Sequence, residues 1–330
     1  MSKNILITGA CGFIGHHLVD YLLKNTNHQL YLVDKLSYAS CGLDRLRELN
    51  ILEHKRVHLF IYDLTTKIDE GFVKELQNIN WIIHLAAETH VDNSIKDPHY
   101  VIMNNVLSTL NLLEFSRKLE YLDKFLYFST DEVYGPAINK SFKETDKHNP
   151  TNPYSASKSA SEVICNSYAN TFNIPLIICN VMNVFGERQH NEKFIPLCVK
   201  NILNDNPVTI HTYPYIDDEL PKSGSRYYIY VENVASAVYF IMCNGKIGEC
   251  YNIQGQEELS NEEIFDTISK ILKKTTAKIY TYNDINRPGH DLRYSLDNTK
   301  LTELGWKPKG IFEEYLEQVV NFIVQNKKWM

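Results

Sequence analysis

The chain has 330 residues, 44% of them hydrophobic and 22% charged, which is enough for one large domain or two of ordinary size. A net charge of −6 argues against a surface built to cover nucleic acid, and no apolar run approaches the roughly 20 residues of a membrane-spanning helix. Seven cysteines, odd in number and without a C-x-x-C pair, suit free thiols in a reducing, cytosolic compartment, most of them as small core residues.

The N-terminal MSKNILITGACGFIG reaches a glycine-punctuated turn too soon for a signal peptide. In chain order, ILIT (5–8), QLYLVD (29–34), VHLFIYD (57–63), WIIHLAA (81–87), FLYFST (125–130) and PLIICNV (175–181) predict strands. Between them, HHLVDYLLKN (16–25), KELQN (74–78), VIMNNVLSTLNLLEFSRKL (101–119) and SASKSASEVICNSYANTF (155–172) carry helical spacing. Strands that alternate with helices and are apolar throughout predict a parallel sheet covered on both faces. The pattern then loosens. NVFGERQHNEKF (183–194) has no clear period, and TYPYIDDELPKSGS (212–225) reads as an exposed loop. RYYIYVENVASAVYFIM (226–242) returns to a strand and a helix, and GECYNIQG (248–255) and a mixed stretch follow. The expected organisation is a nucleotide-binding domain of residues 1–182 plus about 226–250, and a smaller mixed α/β domain of about 183–225 plus 251–330.

TGACGFIG sets Gly9, Gly12 and Gly15, with Phe13 and Ile14 between them, after the first strand and at the start of a helix. Glycines there allow a tight turn, close approach of the backbone to a pyrophosphate, and close helix–strand packing. The helix N-terminus adds amide donors and a positive partial charge. Asp34 ends the second strand, where an acid accepts hydrogen bonds from an adenosine ribose and repels a 2′-phosphate. A Rossmann-type doubly wound fold that binds NAD rather than NADP is the reading, with Lys35 adjoining the acid. Asp63 and Leu64 after the third strand, and Leu85, Ala86 and Ala87 after the fourth, lie at strand ends where ligands bind. For Leu85 to Ala87, packing of small residues accounts for the pattern equally well.

YSASK places Tyr154 and Lys158 four residues apart on one helix face, so phenol and ammonium can address one ligand. A tyrosine ordinarily titrates near 10, and each unit of lowering represents about 1.4 kcal/mol. Lys158 and a positive nicotinamide ring are together expected to bring the phenol toward a phenolate near neutral pH. FSTDEVYG sets Thr130, Asp131 and Glu132 directly after the fifth strand. Adjacent carboxyls are ordinary on a solvated loop. They take opposite duties only where their surroundings push their pKa values apart.

TGACGFIG, HLAAETHVDNSI, FSTDEVYG, NPYSASK, NVFG, NEKFIPL, RPGHDLRY and LGWKP run nearly end to end. On these motifs the chain resembles the extended short-chain dehydrogenases/reductases and, within them, the nucleotide-sugar 4,6-dehydratases. STDEVYG is the most specific piece, because 4-epimerases of the same group usually carry small or neutral residues where this chain has Asp131 and Glu132. The resemblance implies that Tyr154 removes the proton from the sugar's 4-hydroxyl as carbon 4 gives a hydride to NAD, with Thr130 holding that oxygen. It implies that Glu132 then takes the hydrogen of carbon 5, and that Asp131 protonates the departing 6-hydroxyl. The hydride returns to carbon 6, and the product is a 4-keto-6-deoxy sugar.

The resemblance further assigns Glu88, Asn104 and Asn183 to the cofactor or the sugar. Lys193, Phe194, Thr209, His211, Arg226, Asn261, Arg287 and His290 fall to the nucleotide diphosphate. A guanidinium's planar fork of donors suits a diphosphate. His211 stands where bacterial dTDP-glucose enzymes tend to have Tyr and eukaryotic relatives, UDP-glucose enzymes among them, often His. The loop 212–225 is longer than usual, and Glu257 and Leu259 replace the commoner Asn and Lys, so uracil and thymine both remain open. The resemblance also implies a homodimer paired through the helical stretches 97–119 and 155–172. No metal, nucleic acid or membrane is expected. The rival readings are an NAD-dependent nucleotide-sugar 4-epimerase and, more distantly, a non-catalytic NAD-sensing protein.

Overall fold

In the computed structural model, which describes residues 2–138, 140–212, 223–282 and 293–330, the expected parallel sheet has seven strands. They are β1 (Asn4–Thr8), β2 (Gln29–Asp34), β3 (Val57–Ile61), β4 (Trp81–His84), β5 (Lys124–Thr130), β6 (Leu176–Val181) and, much later, Cys250–Ile253. Across the sheet the order is Cys250–Ile253, β6, β5, β4, β1, β2, β3. The order reverses between β1 and β4, so the loops that leave those strands diverge and open a crevice at their carboxyl ends. The fold is a Rossmann-type doubly wound α/β sheet.

Among the described residues the helices are α1 (Phe13–Asn25), α2 (Asp44–Glu48), α3 (Glu70–Glu75), α4 (Val91–Lys96), α5 (Pro98–Ser116), α6 (Pro153–Phe172), α7 (Phe194–Leu203), α8 (Val231–Asn244) and α9 (Asn261–Leu272). Two further ones span Thr299–Leu304 and Phe312–Gln325. Successive side chains of β1 serve opposite faces, as a strand's period of two requires. Ile5 and Ile7 join Leu18 of α1 and Val234 and Val238 of α8 in one core. Leu6 joins Leu112 of α5 and Cys165 of α6 in the other. A third core, of Phe185, Ile195, Val199, Ile210, Phe265, Leu316 and Val320, lies in the C-terminal half. Among the described residues no helix is long and apolar enough to cross a membrane. The seven cysteines are unpaired; Cys11, Cys165, Cys179 and Cys198 are buried.

Boundaries depart from the periodic pattern where caps decide them. The helix expected at 74–78 lies earlier, at Glu70–Glu75, because the Asp69 side chain accepts from the amide of Phe72 and starts it there. Asp97 and Pro98 open α5, and the Asn152–Ser155 capping box with Pro153 opens α6, both ahead of the apolar periodicity. β3 stops at Ile61 and β4 at His84, short of the apolar runs that predicted them. Asp63, Leu64 and Leu85 to Ala87 are thereby loop residues at the crevice.

Candidate active site

The cavity runs along the carboxyl ends of β1, β2, β4 and β5. Gly9 leaves β1 with φ +69°, and a Cβ there would stand 2.8 Å from the amide nitrogen of Ala86. A Cβ on Gly15 would overlap the carbonyl oxygen of Gly9. Helix α1 starts after Gly12 with no side-chain cap and no acid in its first turn, so its leading amides keep their full partial charge beside the cavity. This cradle fits the diphosphate of a dinucleotide.

Behind the turn lies Arg45 of α2, fully buried. Its Nη1 donates to the carbonyls of Ala39 (2.7 Å) and Cys11 (3.2 Å), and its Nε donates to that of Arg188 (2.9 Å). The Trp329 ring covers the guanidinium at 5.1 Å, and the indole donates to Glu48 Oε2 at 3.1 Å. Nothing in the local pattern around Arg45 signals this position.

Asp34 takes the amide of Cys11 on Oδ2 (2.9 Å) and that of Leu36 on Oδ1 (2.8 Å), so it braces the glycine turn as well as lining the cavity. Burial raises its pKa, and the two amides and Arg45 oppose that. Lys35 turns inward. Its Nζ donates to Asn104 Oδ1 (2.6 Å) and to the Tyr100 hydroxyl (3.1 Å), and lies 3.7 Å from Glu88 Oε1. Its charge is paired inside the site rather than offered beside Asp34 to a 2′-phosphate. From Asn104 a polar thread continues through Asn105, whose Nδ2 donates to Ser157 Oγ of α6 at 2.9 Å.

At the end of β5 the chain enters one 3₁₀ turn, Asp131–Tyr134, capped by the Thr130 side chain. Thr130, Asp131, Tyr154 and Lys158 are buried and Glu132 is half-buried; all five line the same cavity. Thr130 Oγ1 donates to Asp131 Oδ1 at 3.0 Å and shares a hydrogen bond with the Tyr154 phenol. Asp131 Oδ2 is buried with no hydrogen-bond partner among the described residues. Burial, then repulsion from Glu132, push the Asp131 carboxyl up to about 8. Glu132 Oε2 instead accepts from Asn152 Nδ2 (3.3 Å) and the Tyr294 hydroxyl (3.4 Å).

Lys158 Nζ donates to the Phe128 carbonyl at 2.7 Å and lies 4.3 Å from the centre of the Tyr127 ring. Burial lowers its pKa to about 8. Burial and then the charge of Glu132 raise Tyr154, against the Thr130 hydrogen bond. Lys158 alone therefore does not yield the expected phenolate. The chain by itself holds a phenol there, and further positive charge beside it is needed to lower it.

The expected cofactor residues Gly9, Gly12, Phe13, Ile14, Gly15, Asp34, Lys35, Asp63, Leu64, Leu85, Ala86, Ala87 and Asn104 all line this cavity, as do Glu88, Asn183 and Lys193. Phe194, Thr209, His211, Arg226 and Asn261 are not among its lining residues. Phe194 opens α7 and packs on the third core. Thr209 and His211 lie on the strand Val208–Thr212, where His211 Nδ1 meets Thr281 Oγ1 at 3.1 Å. Asn261 opens α9 and accepts from the Tyr228 hydroxyl at 2.8 Å. Arg226 is buried against the Tyr294 ring, and its charge acts to lower the pKa of Asp131. Arg287 and His290, with most of the loop 212–225, fall outside the described residues. Ser37, Ser40 and Tyr62 also line the cavity. Their signal was position, shortly after the strands β2 and β3.

Comparison with known proteins bears on the whole chain. The family described as GDP-mannose 4,6 dehydratase matches residues 6–319. The dTDP-glucose 4,6-dehydratase of Salmonella typhimurium is 34% identical, over 99% of this chain and 94% of that protein. A crystal structure of dTDP-glucose 4,6-dehydratase from Streptomyces venezuelae with NAD bound is 30% identical, covers 99% of this chain and 98% of its own, and has a TM-score of 0.87. UDP-glucuronic acid 4-epimerase from Bacillus cereus, in complex with UDP-glucuronic acid and NAD, reaches the same TM-score at 29% identity, over 98% of this chain and 99% of that one. Overall shape therefore does not separate dehydratase from epimerase; by the family match and the full-length relative, the chain belongs to the nucleotide-sugar 4,6-dehydratase family of extended short-chain dehydrogenases/reductases.

Proposed function

We propose that the protein is an NAD-dependent lyase that dehydrates a nucleoside-diphosphate-glucose, dTDP- or UDP-glucose, to the 4-keto-6-deoxy sugar used in deoxysugar biosynthesis. The observation that carries this reading is the contrast between Asp131, buried and raised to about 8, and Glu132, half-buried and held by two donors. Elimination of water needs an acid and a base side by side. A 4-epimerase expels no hydroxyl and has no use for the pair.

The glycine turn and Asp34 would hold the dinucleotide, with Tyr154 and Lys158 toward its nicotinamide. Bound NAD supplies a reversible store for the hydride that leaves carbon 4 and returns at carbon 6, and its positive ring adds the charge that Tyr154 lacks. Tyr154 takes the proton of the 4-hydroxyl while Thr130 orients that oxygen. Glu132 removes the proton of carbon 5, which the new ketone acidifies, and later returns it. Asp131 protonates the 6-hydroxyl as it departs. Tyr154 ends with one proton more than it began with and Asp131 with one fewer. Thr130, hydrogen-bonded to both, offers the path that restores them.

Glu88 and Asn183 are proposed for the sugar. Lys193, Phe194, Thr209, His211, Arg226, Asn261, Arg287 and His290 are proposed for the nucleotide diphosphate. In this reading residues 1–182 and about 226–250, with the strand Cys250–Ile253, serve the cofactor, and about 183–225 with the remaining C-terminal residues serve the substrate. Two copies pair through α5 and α6, which show Ile102, Met103 and Val163 to solvent, and the dimer works in the cytosol. Incubation with dTDP-glucose and UDP-glucose separately, read by product mass, tests the activity. Loss of one water from either supports it, and an unchanged mass with altered stereochemistry at carbon 4 replaces it with the epimerase.

A further inference from the structure

Glu162 is an ionisable side chain that these proton transfers leave unused. It follows Lys158 by one turn on α6, is 4% exposed, and is absent from the cavity wall. Oε1 accepts from Ser129 Oγ and, at 3.2 Å, from Asn180 Nδ2. The same Asn180 amide reaches the Thr130 carbonyl at 3.4 Å. Lys158 holds the Phe128 carbonyl. Three consecutive residues of β5, ending at Thr130, are thus held by Lys158, Glu162 and Asn180.

On its other side, Oε2 faces His148 Nε2 at 3.5 Å, and His148 Nδ1 meets Ser159 Oγ at 2.9 Å. The His148 side chain is 25% exposed, so the carboxyl has a polar route to solvent that avoids the cavity. The remaining ionisable groups on which its charge acts are Cys165 of α6, Tyr127 of β5, Tyr134 of the 3₁₀ turn and Cys250 beside β6. Burial raises all four, which keeps them neutral. Lys158 is left as the partner whose positive charge and the negative charge of Glu162 act on each other, while burial lowers the pKa of His148. Burial raises Glu162 and lowers Lys158, and each opposes the shift of the other.

We propose that Glu162 is a positioning residue of the reaction: from one turn beyond Lys158 it keeps that side chain an ammonium and fixes the end of β5 against α6, with His148 as its link to solvent. The proposal rests on the roles given above to Tyr154 and Lys158. Glu162→Gln keeps an acceptor for Ser129 and removes the charge, so Lys158 loses its proton at lower pH. Glu162→Asp keeps the charge and rescues it.

The test is the titration of Lys158 in the full chain without substrate, read from the side-chain carbon shifts of isotope-labelled lysines and assigned with Lys158→Met. Glu162→Gln should lower the Lys158 midpoint by roughly one unit or more, Glu162→Asp should stay near wild type, and the alkaline limb of the rate profile should move with the midpoint. An unchanged midpoint in a folded Glu162→Gln protein overturns the proposal. Should that variant fail to fold, His148→Leu decides. It removes the group facing Oε2, so Glu162 protonates at higher pH and the acid limb of the rate profile rises; an unmoved acid limb overturns the proposal. The catalytic reading fails separately, through wild-type turnover by Tyr154→Phe, because the Lys158 titration needs no turnover.

Discussion

Asp131 and Glu132 share a peptide bond but not an environment: one carboxyl has a buried oxygen without a partner among the described residues, and the other sits half-buried between an amide and a phenol. Removing either should therefore stop a different step. Glu132→Gln should slow exchange of the carbon 5 hydrogen with solvent deuterium by about 10²- to 10⁴-fold, the usual worth of a general base. Asp131→Asn should leave that exchange running and slow water loss. Mass spectrometry of substrate recovered from heavy water separates the two. Identical defects in both variants would refute the division.

The raised pKa of Asp131 carries a cost in stability whose sign is fixed. Between the ordinary value of 3.8 and about 8, the unfolded chain gives up this proton and the folded chain keeps it. The folded state then binds more protons, so stability falls as pH rises, by at most about 1.4 kcal/mol per unit, and levels off above the folded value. Asp131→Asn abolishes the effect. Its melting temperature relative to wild type should climb steadily between those two pH values and then plateau. A difference that does not change with pH would contradict a buried neutral acid.

Asp34→Ala should do more than remove a ribose acceptor, because the amides of Cys11 and Leu36 lose their partner too. An orphaned buried amide costs about 1–3 kcal/mol, and each 1.4 kcal/mol is tenfold in affinity. Calorimetry should show NAD binding weakened at least tenfold and NADP binding weakened less. If the wild-type chain binds NADP as tightly as NAD, Asp34 does not discriminate.

Tyr154→Phe keeps the buried ring and deletes the group proposed to take the first proton. Product formation should fall by at least about 10²-fold while the melting temperature changes little. A near wild-type rate removes Tyr154 from the chemistry.

Ile102, Met103 and Val163 are exposed on two helices whose other faces cover the sheet. Val163→Glu combined with Ile102→Glu should convert a dimer to a monomer in sedimentation at micromolar concentration. A wild-type chain that sediments only as monomer would dismiss the pairing.

The parts of the site that were legible in the sequence are contiguous stretches at strand ends: the turn at Gly9–Gly15, Thr130 to Glu132, and Tyr154 with Lys158. The turn and the Tyr154–Lys158 pair need only local geometry to be recognised, whereas Thr130 to Glu132 were picked out by the resemblance. Leu85 to Ala87 read equally as packing or as binding; they line the cavity, and Gly9 packs against Ala86. Arg45, Asn105 and Glu162 were not legible. Their roles come from partners distant in the chain, Arg188 and Trp329 for Arg45, Ser157 for Asn105, Ser129 and Asn180 for Glu162. An ionised or amide side chain on an amphipathic helix reads as solvated until tertiary contacts bury it. Opposite duties for Asp131 and Glu132 were implied by the resemblance alone, while the difference in solvation that such duties need is visible only in three dimensions.

Arg45 gathers the carbonyls of Cys11, Ala39 and Arg188 under a lid supplied by Trp329, so the loop that follows β1 is braced by a side chain far along the sequence. A ribosome must translate through Trp329 before that brace exists. The sheet can assemble earlier, but the glycine turn at the cavity reaches its finished form only afterwards. Nascent chains stalled before residue 327 should therefore retain less NAD than chains stalled well past Trp329.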